Sequence, residues 1–264
     1  MAHPEYKYIY GPVSSWRLGR SLGIDPLSCR HKTCTFDCVY CQAGKTESFP
    51  GDRGIFVPTA TLIEELRSLP EVSLDYITFA GNGEPTLADN LGEMIREVRR
   101  VRKEKIAVIT NGSLLGREDV REDLAMADLV EVKLDAHSSE TFQKVNRAPG
   151  ISWDENVAGV KAFRKMYKGH LALQVMFVAS NKAHAAAIAA LARDIGPEEV
   201  EINTPLRASA AKPLPPGDIA EITAIFRKIC GFGIKVRSVY EAKREKSLPF
   251  DQESTDQRRG KEDF

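Results

Sequence analysis

Cys34-Thr-Phe-Asp-Cys38-Val-Tyr-Cys41 places three cysteines within eight residues, spaced C-x3-C-x2-C. Thiolates this close in sequence can wrap one soft metal centre, because the short intervening backbone aims all of them inward. A structural zinc site asks for a fourth protein ligand, which Cys29 or His31 just upstream would supply. An iron–sulfur cluster can accept three cysteines and leave one iron open for another ligand. It can also take Cys29 as a fourth and serve as an electron carrier. Spacing leaves all three readings standing.

The chain that must position this loop has 264 residues and 42% hydrophobic content, enough for one substantial core. A single domain is expected over 1–240, with a charged, disordered tail over 241–264 that lacks apolar periodicity. Lys+Arg 37 balances Asp+Glu 37, so no global basic field exists to hold nucleic acid, and only a local patch would serve. Five cysteines, three of them clustered, fit a reducing cytoplasm and a metal or redox role better than a disulfide framework. No run of about 18 apolar residues predicts a membrane span. The polar opening Met-Ala-His-Pro-Glu-Tyr-Lys carries no secretory h-region.

Hydrophobic patterning predicts a first strand over 21–25 running into the cysteine loop, with Gly11-Pro12 and Gly19 read as turns before it. Residues 42–58 read as loop and 59–70 as a helix. Further strands are expected over 74–80, 106–110, 129–134, 171–178, 200–203 and 234–239. Helices are expected over 88–103, 117–126, 138–145, 153–168, 183–194 and 218–229. Repeated alternation means an α/β fold of parallel strands, closed partly into a barrel or left open as a doubly wound sheet. Either form gathers functional loops at the C-terminal ends of the strands. The polar exceptions fall there: Gly83-Glu84, Asn111, Asp135 and Asn203.

Cys34, Cys38 and Cys41, with Tyr40 before the last cysteine, resemble the defining motif of the radical S-adenosylmethionine (SAM) superfamily. That resemblance implies a 4Fe–4S cluster on the three cysteines, with SAM chelating the open iron. Gly81-Asn82-Gly83-Glu84-Pro85 resembles the family's GGEP segment, which meets the methionine amino group; Asn82 stands where glycine is usual. Thr110-Asn111-Gly112 and Lys133-Leu134-Asp135 resemble strand ends that approach SAM, in the order of a partial (βα)6 TIM-like barrel. The implied roles are Tyr40 near adenine, Gly83 and Glu84 near the amino group, and Asn111 and Asp135 near carboxylate or ribose.

The stretch from Gly11 to Asp25 and Asn203-Thr-Pro-Leu-Arg207 resemble a small, wyosine-synthase-like branch. A second three-cysteine site is absent, since only Cys29 and Cys230 remain, and Cys230 reads as a structural thiol. The resemblance further implies a low-potential electron donor such as ferredoxin or flavodoxin. It leaves a tRNA nucleoside, a small metabolite or a protein as substrate. Arg17, Arg20 and Arg207 are candidates for an anionic substrate group or for surface ion pairs. Lys133 is a candidate Schiff base or salt-bridge partner, and His137 a candidate proton donor. The reading from a different class is a non-catalytic carrier or scaffold with Cys29 as fourth ligand.

Overall fold

The computed structural model describes residues 6–242 and 245–259. Its strands form one eight-stranded sheet in strictly sequential order. They are β1 (Ile9–Ser15), β2 (Gly19–Ile24), β3 (Tyr76–Phe79), β4 (Lys105–Thr110), β5 (Leu129–Lys133), β6 (His170–Met176), β7 (Glu199–Asn203) and β8 (Lys235–Ser238). β1 and β2 pair antiparallel. Every later pairing, from β2–β3 to β7–β8, is parallel. A doubly wound sheet reverses its strand order at a switch point. This order never reverses, so the sheet winds one way into a partial TIM-like barrel, with no ladder joining β1 to β8 among the described residues.

The helices are α1 (Thr59–Ser68), α2 (Leu91–Val101), α3 (Glu118–Ala125), α4 (Ser139–Val145), α5 (Trp153–Met166), α6 (Ala185–Ile195), α7 (Pro216–Cys230) and α8 (Gln252–Arg259). Those from α1 to α7 supply the crossovers between parallel strands. In α2, Leu91, Met94, Ile95 and Val98 recur at i, i+3, i+4 and i+7 and are all buried.

Strand side chains alternate between two different environments. Leu22, Ile24, Ile77, Phe79, Val108, Val130, Val132, Leu173 and Ile202 face outward into the helix layer and are fully buried. Each such side chain stabilises the fold by about 1.5–3 kcal/mol. The opposite parity faces the barrel interior with Ser21, Thr78, Ala107, Glu131, Gln174, Glu201 and Arg237. Gln174 lines the cavity on the cysteine side. Charged residues near the hairpin turn close the floor: Arg17 is ion-paired with Glu131 and lies 3.9 Å from Glu201. Arg237 of β8 bonds Glu199 and reaches the carbonyls of Trp16 at 3.3 Å and Arg17 at 3.5 Å, bridging the barrel's open edge.

Two expectations change. Gly11-Pro12 is not a turn: it lies inside β1, where the register shifts between Tyr10 and Val13 as a bulge. An edge strand tolerates such a proline because its missing N–H breaks no interior ladder. The stretch expected to be a disordered tail contains α8, and it binds β1. Phe250 N donates to Gly11 O at 2.7 Å, Gly11 N donates to Thr255 Oγ1 at 3.0 Å, and Ser247 N donates to Ser14 Oγ at 2.9 Å. α8 is polar because it is held by hydrogen bonds rather than by an apolar stripe. Residues 243–244 and 260–264 of that stretch, and 1–5 on which the absence of a secretory signal was read, lie outside the described residues.

The floor generates two stability predictions. Arg17→Met leaves Glu131, whose side chain is 0% exposed, without its cation. Denaturant unfolding should show a loss of about 3–5 kcal/mol. Burial, then the neighbouring Glu131, pushes the Glu201 carboxyl well above the usual range. The folded state therefore holds a proton that the unfolded chain has released, so this group destabilises the fold as pH rises through the ordinary glutamate range. Glu201→Gln removes that slope. Its stability relative to wild type should rise as pH climbs through and above the ordinary glutamate range in urea titrations.

Candidate active site

The cysteine loop leaves β2 at Asp25, whose carboxylate accepts from Leu27 N at 3.2 Å, Ser28 N at 3.0 Å and Asn82 N at 3.1 Å. The chain then runs beside the turn after β3. Thr33 N donates to Asn82 O at 3.2 Å, and Glu84 N donates to Thr33 O at 3.1 Å. A Cβ on Gly83 would stand 2.0 Å from Thr33 O, so only glycine permits this approach. Gly81 is equally confined, since a Cβ there would meet the Asp25 carboxyl at 2.3 Å. Asn82 needs no glycine: its backbone φ is not positive, and both its N–H and its C=O are bonded.

The far side of the loop rests on the end of α4. Asp37 N donates to Asn146 O at 3.0 Å and Val39 N to Val145 O at 2.9 Å, which satisfies carbonyls left over at a helix end. Phe36 packs edge-on against Phe142 at 5.2 Å.

The sulfurs are met by N–H donors. Cys34 Sγ accepts from Phe36 N at 3.4 Å and Asn111 Nδ2 at 3.6 Å, and Cys38 Sγ accepts from Asn146 Nδ2 at 3.5 Å. Burial, reinforced by Glu84, pushes the Cys34 thiol up to about 12. Burial, reinforced by Asp135, pushes Cys38 up to about 11. Both stay protonated at neutral pH unless a metal displaces the proton. Donors aimed at sulfur are the partners that a metal-bound thiolate needs. The donor set thus fits an iron–sulfur cluster on Cys34, Cys38 and Cys41. Cys29 is turned elsewhere, with Sγ toward Leu27 O at 3.5 Å, and does not line the cavity.

Cys34, Cys38 and Cys41 share one cavity of about 310 Å³ with Tyr40, Gly83, Glu84 and Asn111. Glu84 is buried and its Oε1 accepts from Thr86 N at 3.1 Å, Thr86 Oγ1 at 2.7 Å and Thr110 Oγ1 at 2.6 Å. Its Oε2 accepts from Asn111 N at 2.7 Å, leaving one acceptor position on that oxygen. Burial raises the Glu84 carboxyl, and these donors pull against it. The Asn111 side chain turns to Thr35 Oγ1 at 2.8 Å as well as to Cys34.

Asp135 stands behind the cavity wall. It accepts from Tyr40 OH, from Asn146 Nδ2 at 2.8 Å and from Met176 N at 2.7 Å. Lys133 lies 3.9 Å from Asp135, bonds Gln174 Oε1 and sits 4.8 Å over the Tyr40 ring. His137 lies against His184, ring centroids 4.4 Å apart and tilted by 31°, and does not line this cavity. Arg20 is a surface partner of Asp75, Arg17 belongs to the floor, and Arg207 lines the cavity with Nη1 on Gln42 Oε1 at 3.1 Å. Cys230 is a buried thiol facing Ala189 O.

Sequence reasoning missed Asp25, Asn146 and Arg53. Arg53 has a side chain only 4% exposed, and it donates to the carbonyls of Thr86 and Ala88 at 2.9 Å each, and to Asp119 and Asp123. It fixes the turn that carries Glu84. Nothing in its neighbours' spacing marks it, because its partners come from distant elements.

Residues 30–192 match the profile of the Radical SAM superfamily. A UPF0026 protein of Synechocystis sp. is 41% identical over 201 residues, which are 75% of this chain and 76% of that protein. Among solved structures, TYW1 with a lysine-pyruvate adduct bound superposes with a TM-score of 0.61 at 15% identity, covering 79% of this chain and 73% of that one. SuiB of Streptococcus suis bound to S-adenosylmethionine superposes with a TM-score of 0.64 at 13% identity, covering 82% of this chain and 49% of that one. At such identities the two structures attest the fold alone: the same curled, mostly parallel half-barrel. The match over 30–192, more than half of the chain and inclusive of the three-cysteine loop, makes the chain a member of the radical SAM superfamily, whose enzymes use a 4Fe–4S cluster and S-adenosylmethionine.

Proposed function

We propose that Cys34, Cys38 and Cys41 hold the cluster and that SAM binds in the cavity beside them, for hydrogen abstraction from a substrate. The observation that carries this reading is the backbone bridge between Thr33 and Gly83. It sets Cys34 against the Glu84 carboxylate on one cavity wall. When bound, the cluster and SAM would supply reductive cleavage of the sulfonium and hydrogen-abstraction chemistry.

The remaining roles belong to this chain's residues. Glu84 Oε2 offers its open acceptor position to the methionine ammonium. The Gly83 backbone allows the close approach of loop and turn. Asn111 holds the cysteine loop through Thr35 and Cys34, and borders the cofactor on the wall. Tyr40 borders the adenine side, and Asp135 acts through it by fixing the phenol. Lys133 over the Tyr40 ring helps to shape that side of the cavity.

An electron must reach the cluster from a low-potential donor of the ferredoxin or flavodoxin kind. Candidate substrates are a tRNA nucleoside, a small metabolite or a protein. The five cysteines, all free among the described residues, suit a reducing cytoplasm. No helix among the described residues is long and apolar enough to cross a membrane. The carrier reading is disfavoured by the position of Cys29, whose sulfur lies off the cavity wall.

Two measurements test this. Anaerobically reconstituted protein should hold about four irons. Cys38→Ala should lose them, whereas Cys29→Ala and Cys230→Ala should keep them; a full cluster in Cys38→Ala removes the central claim. Glu84→Ala should weaken SAM binding by about 1.5–3 kcal/mol, the usual worth of a charge-assisted hydrogen bond. Titration should be paired with thermal unfolding, because the same change unpairs Thr86, Thr110 and Asn111. Unchanged SAM affinity would reduce Glu84 to a strand-end bracket.

A further inference from the structure

The last turn of α8 carries Arg258, which lines the cavity with a side chain only 11% exposed. Its guanidinium is held on several sides. Nη1 donates to Ser254 O at 3.1 Å and to Ser254 Oγ at 2.6 Å, one helical turn back. Nη2 donates to Lys7 O, in the chain that leads into β1. The group lies 5.8 Å over the Tyr10 ring, and Tyr10 itself packs so closely on β2 that a Cβ on Gly23 would meet its ring at 2.1 Å. These contacts leave Nε turned toward Asp25, 3.5 Å from Oδ2. A long side chain gives up much rotamer freedom to be fixed in this way. Its fixed orientation sets a positive charge beside one buried carboxylate.

That carboxylate joins two parts of the site. Asp25 is 2% exposed, and its Oδ1 accepts from Leu27 N and Ser28 N at the root of the cysteine loop. Its Oδ2 accepts from Asn82 N in the turn after β3, and a Cβ on Gly81 would meet the carboxyl at 2.3 Å. Glu84 follows in the same turn. A buried carboxylate that loses a cation must draw harder on its remaining donors or shift toward others. Here those donors belong to the loop on one oxygen and to the turn on the other, so any shift moves the two against each other. The remaining ties of the C-terminal segment, from Ser247, Phe250 and Thr255, end on Ser14 and Gly11 of β1 and do not touch the turn. They fasten the segment to the barrel, whereas Arg258 reaches past β1 to the site.

Resting on the functional reading above, we infer that Arg258 is a positioning residue for SAM binding. It acts through Asp25 to hold the Gly81–Glu84 turn at the separation from the cysteine loop that SAM must span. In this role it needs no contact with cluster or cofactor. The C-terminal helix is thereby part of the cofactor site's support rather than a cover on the edge of the sheet.

The test compares full-length, anaerobically reconstituted wild type with Arg258→Gln, Arg258→Lys and Thr255→Val. Thr255→Val removes the ties to Gly11 N and Asp251 O and so loosens α8 without touching Asp25. Iron content, thermal unfolding, calorimetric SAM affinity and amide hydrogen exchange over 81–86 are measured on each. Arg258→Gln should keep its iron and weaken SAM binding roughly three- to thirty-fold, with faster exchange over 81–86. Arg258→Lys should fall between wild type and Arg258→Gln, because its ammonium restores a charge near Asp25. Thr255→Val should lower the unfolding temperature while SAM affinity and exchange over 81–86 stay as in wild type. The inference is overturned if Arg258→Gln binds SAM as wild type does, or if Thr255→Val loses as much affinity as Arg258→Gln. Wild type that holds its cluster but binds no SAM sinks the functional reading instead. Exchange then judges the link from Arg258 to the turn, and equal rates over 81–86 in wild type and Arg258→Gln overturn it.

Discussion

A carboxylate buried at the end of a strand must recruit donors or give up its charge, and the site is arranged around that demand at Glu84. Burial raises its carboxyl, and four donations from Thr86, Thr110 and Asn111 oppose the rise. Meeting the demand ties the end of β3 to the end of β4. The same Asn111 then reaches Thr35 and Cys34 with its side chain. The Glu84 backbone N–H takes Thr33 O. Position therefore passes from a strand end to the first cysteine through short, fully formed bonds. Arg53 anchors the other flank of the turn by its two carbonyl contacts.

The barrel divides its work by parity. Outward residues of β2 to β8 are aliphatic or aromatic and bury themselves against the helices, and that layer supplies the bulk of the stabilisation. A closed TIM barrel fills its interior with branched apolar side chains. Here Ile109, Lys133 and Gln174 line a cavity at the cysteine end, while Ala107 packs with Leu18 and Leu129 away from it. The opposite end is sealed by charge, with Arg17 and Arg237 set among Glu131, Glu199 and Glu201. Buried ion pairs contribute little net stability compared with apolar packing. They are tolerated at the floor because the outer layer already holds the strands.

Much of this was legible in the sequence because it is local. The cysteine spacing, the alternation of strands and helices, and polar residues just past apolar runs all lie within a few positions of one another. Cys34, Cys38, Cys41, Tyr40, Gly83, Glu84 and Asn111 meet on one cavity as strand-end logic requires. What stayed hidden depends on distant partners. β1 is an edge strand broken by a Gly-Pro bulge, so it shows no clean period of two. α8 lacks an apolar face and is fixed through Thr255 by Gly11, 244 positions away in the chain. Asp25 reads as the end of the first strand, and Arg53 lies unmarked in the loop over 42–58, until the fold brings their partners together. Asp135, expected near the carboxylate or ribose of the cofactor, accepts from Tyr40, Asn146 and the Met176 backbone and stands off the cavity lining.

That last difference has a general meaning for the loop. Glu84 holds its Cys34 end through Asn111 and Thr33. Asp135 holds its Cys38 and Tyr40 end through Asn146 and the phenol. Asp25 holds its root at Leu27 and Ser28. Three buried carboxylates, past the ends of β2, β3 and β5, thus clamp one loop at its root and at both ends. Each works mainly by fixing another group. A loop so fixed carries little conformational freedom to lose when it takes up a cluster, and the cost of ordering its ligands is met during folding rather than at binding.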